Sequence, residues 1–331
     1  MKIAILTPTF SYYSGIDRVV QQQAEEYASK GNKVTVIALE ANIKPKNYKV
    51  EVLGLPKHPL MQRLYRLFFF MDLRKMNHYK NLKSYDVVIS HFYPMNLLAS
   101  KARKKFNIRY VYFNHGVNLD GANLLQSVYM KLFSFFTNLT LNNVDEALSV
   151  SNYLKEDLKK VSGLDSKVIY NKIGKRFNKN VKGDKIIRRF NLKDKKVLLY
   201  VGRMAPHKGI HLLLESFRLI KNKIPNAVLL IAGKPTFDSY FKKLKSMADK
   251  DVIFTGCIND KDLPNYYAAC DVYVTASLWE GFDLPAAEAQ SCGKKVVAFN
   301  IGSHPEIVKN GILVEKGNVN DFAEAVAKVL R

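Results

Sequence analysis

The clearest indication of the architecture is the segment Val197-Leu198-Leu199-Tyr200-Val201-Gly202-Arg203-Met204-Ala205-Pro206-His207-Lys208-Gly209. Its first five residues form a short apolar run of the kind found in a strand buried inside a parallel sheet. Gly202 and Gly209 then bracket a loop. A buried strand that ends in such a loop is typical of parallel α/β layers.

Strand patterns alternate with helical patterns on both sides of this stretch, as parallel α/β layers require. The predicted strands lie at residues 3–6, 34–38, 87–90, 110–113, 147–150, 168–170, 197–201, 228–232, 252–255, 272–275 and 295–299. They predict two doubly wound sheets. A length of 331 residues also exceeds what one hydrophobic core usually supports. We expect domains at residues 1–171 and 197–331, joined by a basic linker at 172–196.

The loop between Gly202 and Gly209 carries two different cations. Arg203 is planar and permanently charged, whereas Lys208 is a flexible point charge. A diphosphate is gripped well by this combination, since one residue supplies geometry and the other charge. We therefore expect Arg203 and Lys208 to neutralise a departing diphosphate. The glycine-rich dinucleotide motif and the Gly-Lys-Ser/Thr phosphate loop are missing, which argues against a simple dehydrogenase and a P-loop NTPase.

A second segment indicates the ligand class: Glu280-Gly281-Phe282-Asp283-Leu284-Pro285-Ala286-Ala287-Glu288-Ala289. Seven residues separate its two carboxylates, across a Gly/Pro turn that opens a helix. The free N–H groups at a helix start favour phosphate oxygens, and Gly281 lets the backbone approach a ligand. Carboxylates instead accept hydrogen bonds from sugar hydroxyls. Glu280 and Glu288 therefore predict a sugar nucleotide site; a strand-to-helix turn with solvated acids is the alternative.

Composition favours a cytoplasmic enzyme that needs neither cofactor nor metal. The three cysteines, Cys257, Cys270 and Cys292, lie far apart without metal-type spacing, so thiols in a reducing compartment are expected. The first apolar run is too short for a signal peptide, and residues 124–141 contain too many polar residues for a convincing transmembrane helix. No set of His, Cys, Asp and Glu has the spacing of metal ligands.

The net charge of +23 is unevenly placed. Residues 44–109 carry fifteen Lys or Arg against three acids, and residues 171–196 carry eleven against two. Inside the first segment, an apolar stripe repeats at helical spacing through Leu60, Leu64, Leu67, Phe68 and Met71. Arg63 and Arg66 sit off that stripe, and Phe69 and Phe70 widen it.

A wide apolar face with basic flanks is what a helix lying in the plane of a membrane needs. We therefore expect Arg63, Arg66, Phe69 and Phe70 on a membrane or acceptor side, against an anionic membrane surface. Nucleic acid is the less favoured partner, because no RNA- or DNA-binding motif accompanies the charge. A solvated basic surface and a core-facing helix are the alternatives.

The motifs together resemble those of glycosyltransferase family 4, whose members are retaining enzymes of the two-domain GT-B type. The resemblance covers nearly the whole chain in the family's order: Gly15, Asn114-His115-Gly116, Tyr170-Asn171, Gly202-Arg203, Lys208-Gly209, Ala232-Gly233, Thr255-Gly256, the segment from Glu280 to Glu288, and Gly302-Ser303-His304-Pro305-Glu306. It implies two Rossmann-like domains facing an interdomain cleft. The N-terminal domain would lie on the acceptor side and the C-terminal domain would bind the nucleotide sugar.

The resemblance also implies roles for individual residues. Glu288 would hold the ribose hydroxyls and Glu280 the ring hydroxyls of the sugar. His115 would face the sugar and help to position it or to stabilise the developing positive charge; a turn histidine bonded to backbone is the alternative. The expected catalytic set is His115, Arg203, Lys208 and Glu280. The expected donor-binding set is Gly15, Gly202, Arg203, Lys208, Gly233, Glu280, Gly281, Phe282, Asp283, Leu284 and Glu288.

Four positions depart from the family's pattern. Asp283 stands where a second glycine is usual, and its side chain would either clash with a sugar or select for one. His304 occupies a position where a small residue is common. Ile16-Asp17 follows a single Gly15, and Lys172 replaces a glycine.

The favoured function is transfer of a sugar from a nucleotide-diphosphate sugar to a lipid-linked or glycolipid acceptor at the cytoplasmic membrane face. One alternative is a soluble transferase with a sugar or small-molecule acceptor, or a related sugar-nucleotide epimerase. The other is a non-catalytic sugar- or nucleic-acid-binding protein. The base, sugar, acceptor and linkage do not follow from the sequence.

Overall fold

The computed structural model describes residues 1–11, 15–116 and 124–331. The chain divides into two compact units, Met1–Asn171 and Lys172–Arg331. Each unit contains one parallel sheet covered by helices, as the doubly wound prediction requires.

The first unit holds a seven-stranded sheet in the order β3-β2-β1-β4-β5-β6-β7. Its strands are β1 Lys2–Phe10, β2 Lys33–Ala41, β3 Lys49–Val52, β4 Val87–Ser90, β5 Arg109–Asn114, β6 Glu146–Ser149 and β7 Lys167–Val168. Its helices are α1 Gly15–Ser29, α2 Pro59–Leu67, α3 Leu73–Met76, α4 Met95–Phe106, α5 Leu124–Leu139 and α6 Asn152–Ser162, with 3-10 turns at Phe69–Met71 and Asn77–Ser84.

The second unit holds a six-stranded sheet in the order β10-β9-β8-β11-β12-β13. Its strands are β8 Lys196–Val201, β9 Ala227–Ala232, β10 Val252–Gly256, β11 Val272–Thr275, β12 Lys295–Phe299 and β13 Gly311–Val314. Its helices are α7 Asp184–Arg189, α8 Ile210–Lys223, α9 Asp238–Met247, α10 Leu263–Ala269, α11 Leu284–Ser291, α12 His304–Ile307 and α13 Val319–Leu330, with a 3-10 turn at Pro206–Lys208.

The core of the second unit lies on both faces of its sheet. Leu198 and Tyr200 belong to a cluster that includes side chains of α8 and α13. Val197 and Leu199 point to the opposite face and pack with α10 and α11. This alternation explains why β8 reads as a continuous apolar run, since a strand covered on both faces has no polar side.

Residues 172–196, expected as a linker, belong to the second unit in the structure. The segment contains α7, and its apolar side chains Phe177, Ile186 and Leu192 are buried in the same cluster as Val197 and Leu199. These side chains are spaced too widely to show a sustained apolar period.

The sequence did not predict β3 and β13, which are the outer strands at one edge of each sheet. Every residue of these two strands is exposed or half-buried. An edge strand packs on fewer neighbours and tolerates charge, as the Lys and Glu of β3 show, whereas β13 has only three apolar residues, Ile312 to Val314, after Gly311.

The helix predicted through residues 60–71 is shorter than expected. α2 ends at Leu67, Phe68 leaves the helical conformation at φ −105° and ψ 26°, and a 3-10 turn follows. Phe69 is fully buried in the core of the first unit. The expectation that Phe69 widens an exposed apolar face is therefore wrong, because the 3.6-residue period stops one residue earlier.

Candidate active site

The candidate residues of the second unit lie at the carboxyl ends of neighbouring strands. β8 pairs with both β9 and β11, so the direction of the strand order reverses between β8 and β11. Ligands of doubly wound sheets bind outside the carboxyl ends at such a reversal. The loop after β8 carries Arg203 and Lys208, and the loop after β11 carries Glu280 and Asp283.

Two glycines allow these loops to pass close to each other. Gly209 has φ +60°, and a Cβ atom there would lie 1.8 Å from the carbonyl oxygen of Ala276. Gly233 has φ +148°, and its Cβ would lie 1.9 Å from the carbonyl oxygen of Gly202. No other residue fits either position without moving backbone.

Lys208 and Glu280 meet in an ion pair. The Nζ atom of Lys208 lies 2.6 Å from Oε1 of Glu280, which also accepts a hydrogen bond of 2.8 Å from Oγ of Ser277. Arg203 is exposed, and it forms no ion pair with any residue that the structure describes. Within the described part of the chain, the site therefore offers one guanidinium without an ion pair and one lysine bound to a carboxylate.

Asp283 occupies the position that caps α11. It lies in the left-handed region at φ 61°, and its Oδ1 accepts a hydrogen bond of 3.2 Å from the N–H of Ala286. Pro285 has no N–H, and the N–H of Ala287 donates to the carbonyl of Asp283. The expectation of free N–H groups at this helix start is thus wrong at two positions: the Asp283 carboxylate accepts from Ala286, and the Asp283 backbone carbonyl accepts from Ala287.

The second oxygen of Asp283 contacts His304. Nε2 of His304 lies 3.0 Å from Oδ2 of Asp283, and both side chains are buried. Nδ1 of His304 lies 2.7 Å from the carbonyl oxygen of Phe299. The Asp283 side chain is therefore turned into the protein and engaged at both oxygens.

Burial opposes the charge of both partners, but the contacts outweigh it. Burial alone would lower the pKa of His304, yet the hydrogen bond and charge of Asp283, the charge of Glu280 and the Phe299 carbonyl raise it above 6.5. Burial would raise the pKa of Asp283, yet His304, Lys208 and the Ala286 N–H hold it below 3.8. Both shifts favour the ionised forms, so the contacts stabilise an imidazolium bound to a carboxylate.

The structure brings together three possible metal ligands that are scattered in the sequence. Oxygen or nitrogen atoms of Glu280, Asp283 and His304 lie within 4.8 Å of one another. Each carboxylate already has a cationic partner, Lys208 for Glu280 and His304 for Asp283. A divalent ion would have to displace both, so these residues do not fit a resident metal.

Two further residues line the same region. Glu288 is buried, and its Oε2 accepts a hydrogen bond of 2.8 Å from the hydroxyl of Tyr267. His207 lies between the two cations of its loop; burial, then Lys208 and Arg203, lower its pKa to about 3. His207 is therefore neutral and adds no charge to the loop.

His115 lies in the first unit, at the carboxyl end of β5. Its side chain is buried, and its Nε2 lies 2.9 Å from Nδ1 of His91, which follows β4. Burial lowers the pKa of His115 to about 3. The alternative expectation was a hydrogen bond from His115 to backbone. The structure instead shows a hydrogen bond to the side chain of His91, which the sequence did not indicate.

Gly15 and Asp17 begin α1, directly after residues 12–14, which lie outside the described residues. A Cβ atom at Gly15 would meet nothing within 4 Å in the described structure. Asp17 is buried, and burial raises its pKa to about 6 although Ser11 and Thr9 donate hydrogen bonds to it.

The four residues expected on a membrane or acceptor side differ in their exposure to solvent. Arg63 and Phe70 are exposed, whereas Phe69 is buried. Arg66 is half-buried, and burial lowers its pKa while charges of Tyr129, Glu40 and Asp17 oppose this. The guanidinium of Arg66 is therefore only partly accessible to a membrane surface. Among the described residues, no helix combines the length and apolar composition needed to span a membrane.

Comparison with known proteins assigns the chain to a family. Residues 13–173 match the model described as Glycosyltransferase Family 4, and residues 183–331 match Glycosyl transferases group 1. The UDP-Gal:alpha-D-GlcNAc-diphosphoundecaprenol alpha-1,3-galactosyltransferase of Escherichia coli is 30% identical over 270 residues, which cover 76% of this chain and 68% of that protein. The chain belongs to the group 1 glycosyltransferases of family 4.

Two other relatives differ in how much of them is matched. An uncharacterized glycosyltransferase of Methanocaldococcus jannaschii is 28% identical over 352 residues, covering 100% of this chain and 89% of that protein. The putative glycosyltransferase YtcC of Bacillus subtilis is 32% identical over 214 residues, or 56% of this chain. That match spans about half (51%) of the length of YtcC.

Solved structures share the fold of this glycosyltransferase. Sucrose-phosphate synthase from Thermosynechococcus elongatus has a TM-score of 0.83 at 22% identity, covering 100% of this chain and 90% of that one. Anabaena HepE in complex with UDP and glucose has a TM-score of 0.83 at 20% identity, covering 99% and 89%. The predicted GT-B fold is confirmed.

Sequence reasoning missed several partners in this glycosyltransferase. His91, Ser277 and Tyr267 each contact a predicted site residue, and none lies in a motif that marks it. Their only sequence signal is a polar residue close to the carboxyl end of a predicted strand or in a following segment. Such residues are common, so the signal identifies a region and not a role.

Proposed function

We propose that this glycosyltransferase transfers a sugar from a nucleotide-diphosphate sugar to a lipid-linked or glycolipid acceptor, with retention of the anomeric configuration and without a metal ion. The observation that carries the donor assignment is the arrangement of Arg203, Lys208 and Glu280 at the β8–β11 reversal. It places protein cations and a carboxylate acceptor at one end of one sheet.

The Lys208–Glu280 ion pair suggests how the donor binds. A diphosphate carries more negative charge than one carboxylate, so Lys208 would move from Glu280 to a phosphate oxygen. Oε1 of Glu280 would then be released to accept hydrogen bonds from sugar hydroxyls. Arg203, exposed and without an ion pair in the described chain, would bind the diphosphate bidentately. The two cations would stabilise the leaving group as its charge develops.

The resemblance to known enzymes supports a nucleotide sugar and a lipid-linked acceptor. The HepE structure was solved with UDP and glucose, and the E. coli relative is named for a UDP-galactose donor and a diphosphoundecaprenol-linked acceptor. We propose the same classes of donor and acceptor for this chain. His115 would contact the sugar, and Glu288 would hold the ribose hydroxyls.

An exposed apolar surface supports action at a membrane. On α5 the exposed side chains from residue 127 onward are Val128, Lys131, Leu132, Phe135 and Leu139. Large apolar side chains Met61, Leu64, Phe68 and Phe70 are exposed on and after α2, and the Phe70 ring lies 5.4 Å from that of Phe136 on α5. We call this the α2–α5 surface. It contains apolar residues beside basic ones, which suits peripheral attachment to the anionic cytoplasmic face of a membrane.

The donor assignment is tested by incubating the protein with labelled nucleotide sugars and a membrane extract. We expect transfer into the lipid fraction, and NMR of the product should show the anomeric configuration of the donor. Inversion would refute the retaining mechanism. Transfer only to soluble sugars would favour the soluble alternative, and binding without transfer would favour a non-catalytic protein.

The proposed binding of the diphosphate by Arg203 and Lys208 can be tested by substitution. Replacing Arg203 or Lys208 by Ala should reduce kcat/KM by about 10²-fold or more, the scale of losing one group that stabilises developing charge. Lys223→Ala is the matched control, because Lys223 pairs with Glu324 at 2.6 Å on the surface of the same unit. Near-normal turnover in both site variants would remove the assignment.

A further inference from the structure

His91 is a buried histidine that no motif of the sequence marks. It lies directly after β4, its relative exposure is 0%, and its N–H donates to the carbonyl of Leu6. Its ring lies nearly parallel to the rings of both Phe113 and His115, with centroid distances of 5.0 Å and 5.2 Å. Its Nδ1 lies 2.9 Å from Nε2 of His115. The two imidazoles therefore share one hydrogen bond inside the first unit.

Both rings are neutral, which limits where their protons can be. Burial lowers the pKa of His115 to about 3, and burial together with His115 lowers that of His91 well below 6.5. Each neutral ring carries one N–H group. The shared hydrogen bond uses one of these two protons, so it runs either from Nδ1 of His91 to His115 or from Nε2 of His115 to His91.

The other nitrogen of His91 decides between the two arrangements. Its Nε2 is buried and has no hydrogen-bond partner among the residues that the structure describes. If His115 were the donor, the proton of His91 would sit on that Nε2 as a buried N–H without an acceptor. Orphaned buried N–H groups are rare, because such a group loses its hydrogen bonds to water without gaining another acceptor. If His91 is the donor, its Nδ1–H is satisfied, and the proton of His115 sits on Nδ1.

We propose that His91 is a positioning residue that holds His115 in the Nδ1–H tautomer, so that His115 presents an N–H donor to the bound ligand. The proposal rests on the proposed function only in taking that ligand to be the sugar nucleotide. An N–H donor suits a sugar hydroxyl or phosphate oxygen. It does not suit a centre of developing positive charge. Of the two roles expected for His115, the side chain therefore performs positioning of a substrate oxygen.

The tautomer is measured directly in the unliganded protein. Long-range ¹H–¹⁵N correlation spectra of ¹⁵N-histidine-labelled enzyme distinguish protonated from unprotonated ring nitrogens, and His115→Gln identifies the resonances of His115. We expect protonated Nδ1 and unprotonated Nε2 on His115 near neutral pH. A protonated Nε2 on His115 would overturn the proposal, whatever the enzyme transfers.

Three substitutions at His91 separate positioning from packing. The amide nitrogen of Asn reaches about where Nδ1 of His lies, so His91→Asn keeps a donor to His115. His91→Asp supplies only an acceptor and should force the proton of His115 onto Nε2. His91→Leu removes the hydrogen bond and keeps an apolar side chain. His78→Asn is the control, since His78 is paired with Glu51 in the same unit.

The expected effects are on kcat. His91→Asn should retain most of the activity, with the His115 tautomer unchanged. His91→Asp and His91→Leu should lower kcat by about 10²-fold, the scale of losing one correctly protonated group. Thermal unfolding of each variant reports its folded fraction. Equal activity per folded molecule in the Asp and Asn variants, with opposite tautomers, would refute the positioning role. An Nδ1–H tautomer in a protein without transferase activity would instead refute the proposed function alone.

Discussion

At the scale of single residues, Asp283 and His304 occupy two positions where the family usually has smaller residues. Their side chains meet in the interior, with His304 Nε2 3.0 Å from Asp283 Oδ2 and His304 Nδ1 2.7 Å from the Phe299 carbonyl. Both ring nitrogens face acceptors, and only the doubly protonated imidazolium donates to both. Each of the two residues thus supplies the opposite charge that offsets the free-energy cost of burying the other.

This dependence predicts strong coupling in a double-mutant cycle. His304→Ala leaves the buried Asp283 carboxylate without its cation, which should cost about 3–5 kcal/mol of unfolding free energy. Adding Asp283→Gly removes that charge, and glycine adopts φ 61° without strain, so the double variant should be more stable than His304→Ala. Urea unfolding of the four proteins gives the coupling energy. Additive losses would mean that the two residues are independent.

The same pair predicts a dependence of stability on pH. The raised pKa of His304 means that its contribution is present below pH 6.5 and is lost as pH rises through the raised value. The lowered pKa of Asp283 means that its contribution is present above pH 3.8 and is lost as pH falls through the lowered value. Wild-type protein should therefore lose stability on both sides of this window relative to the Asp283→Gly, His304→Ala variant. Parallel stability curves would contradict the ion pair.

The candidate residues of the site can be selected from the sequence, whereas their partners cannot. Glu280, Glu288, Arg203 and Lys208 stand in short local patterns beside glycines, so their chemistry is visible in the sequence. The bond between Lys208 and Glu280 joins residues 72 positions apart, and that between His304 and Asp283 joins residues 21 apart. Such contacts depend on which strands become neighbours, and local patterns do not specify this.

At the scale of secondary-structure elements, burial determines which strands and helices can be predicted from the sequence. Each predicted strand overlaps an observed strand, and most of them are central parallel strands that are covered on both faces. The edge strand β3 alternates Val with Lys and Glu, and the edge strand β13 has only three apolar residues in sequence. In residues 60–71 the apolar spacing correctly indicated a helix, but spacing does not show where a helix ends. The chain leaves α2 at Phe68, which turns Phe69 into the core.

The α2–α5 surface predicts how the protein binds vesicles. Leu132→Gln with Phe135→Ser should weaken binding to phosphatidylserine-containing vesicles at high salt, since burial of apolar side chains is not screened. Arg63→Gln with Arg74→Gln should weaken it mainly at low salt, because exposed charges are screened within about 8 Å at physiological ionic strength. Val161→Gln is the matched control, an exposed apolar residue on α6 of the same unit.

Co-sedimentation across a salt series separates these contributions. Phe69→Ser is unsuitable as a probe, because Phe69 is fully buried and its truncation should destabilise the fold by about 3–5 kcal/mol. If the protein ignores anionic vesicles at low salt but binds RNA tightly, the membrane assignment fails. Its basic surface would then serve another partner.

At the scale of the whole molecule, each of the two units places polar side chains at the point where its strand order reverses. In each sheet the strand order reverses between two central strands, β1 and β4 in the first unit and β8 and β11 in the second. His91 follows one of these strands, and the loop with Arg203 and Lys208 follows another. The chain thus provides one histidine pair and one cation loop, each at the end of a sheet where ligands of this architecture bind.

The same arrangement predicts that catalysis is independent of divalent metal. The leaving diphosphate needs positive charge, and Arg203 and Lys208 supply it from the protein. The one set of three possible metal ligands within the described residues, Glu280, Asp283 and His304, is already engaged by Lys208 and by the internal Asp283–His304 pair. Turnover should therefore survive EDTA and should not rise when Mg²⁺ or Mn²⁺ is added. The Lys208→Ala variant should stay impaired in excess Mg²⁺, because an ion bound at Glu280 would have to compete with the sugar for the same oxygens. Complete loss of activity on chelation, with rescue by either ion, would show that the protein cations alone do not stabilise the leaving group.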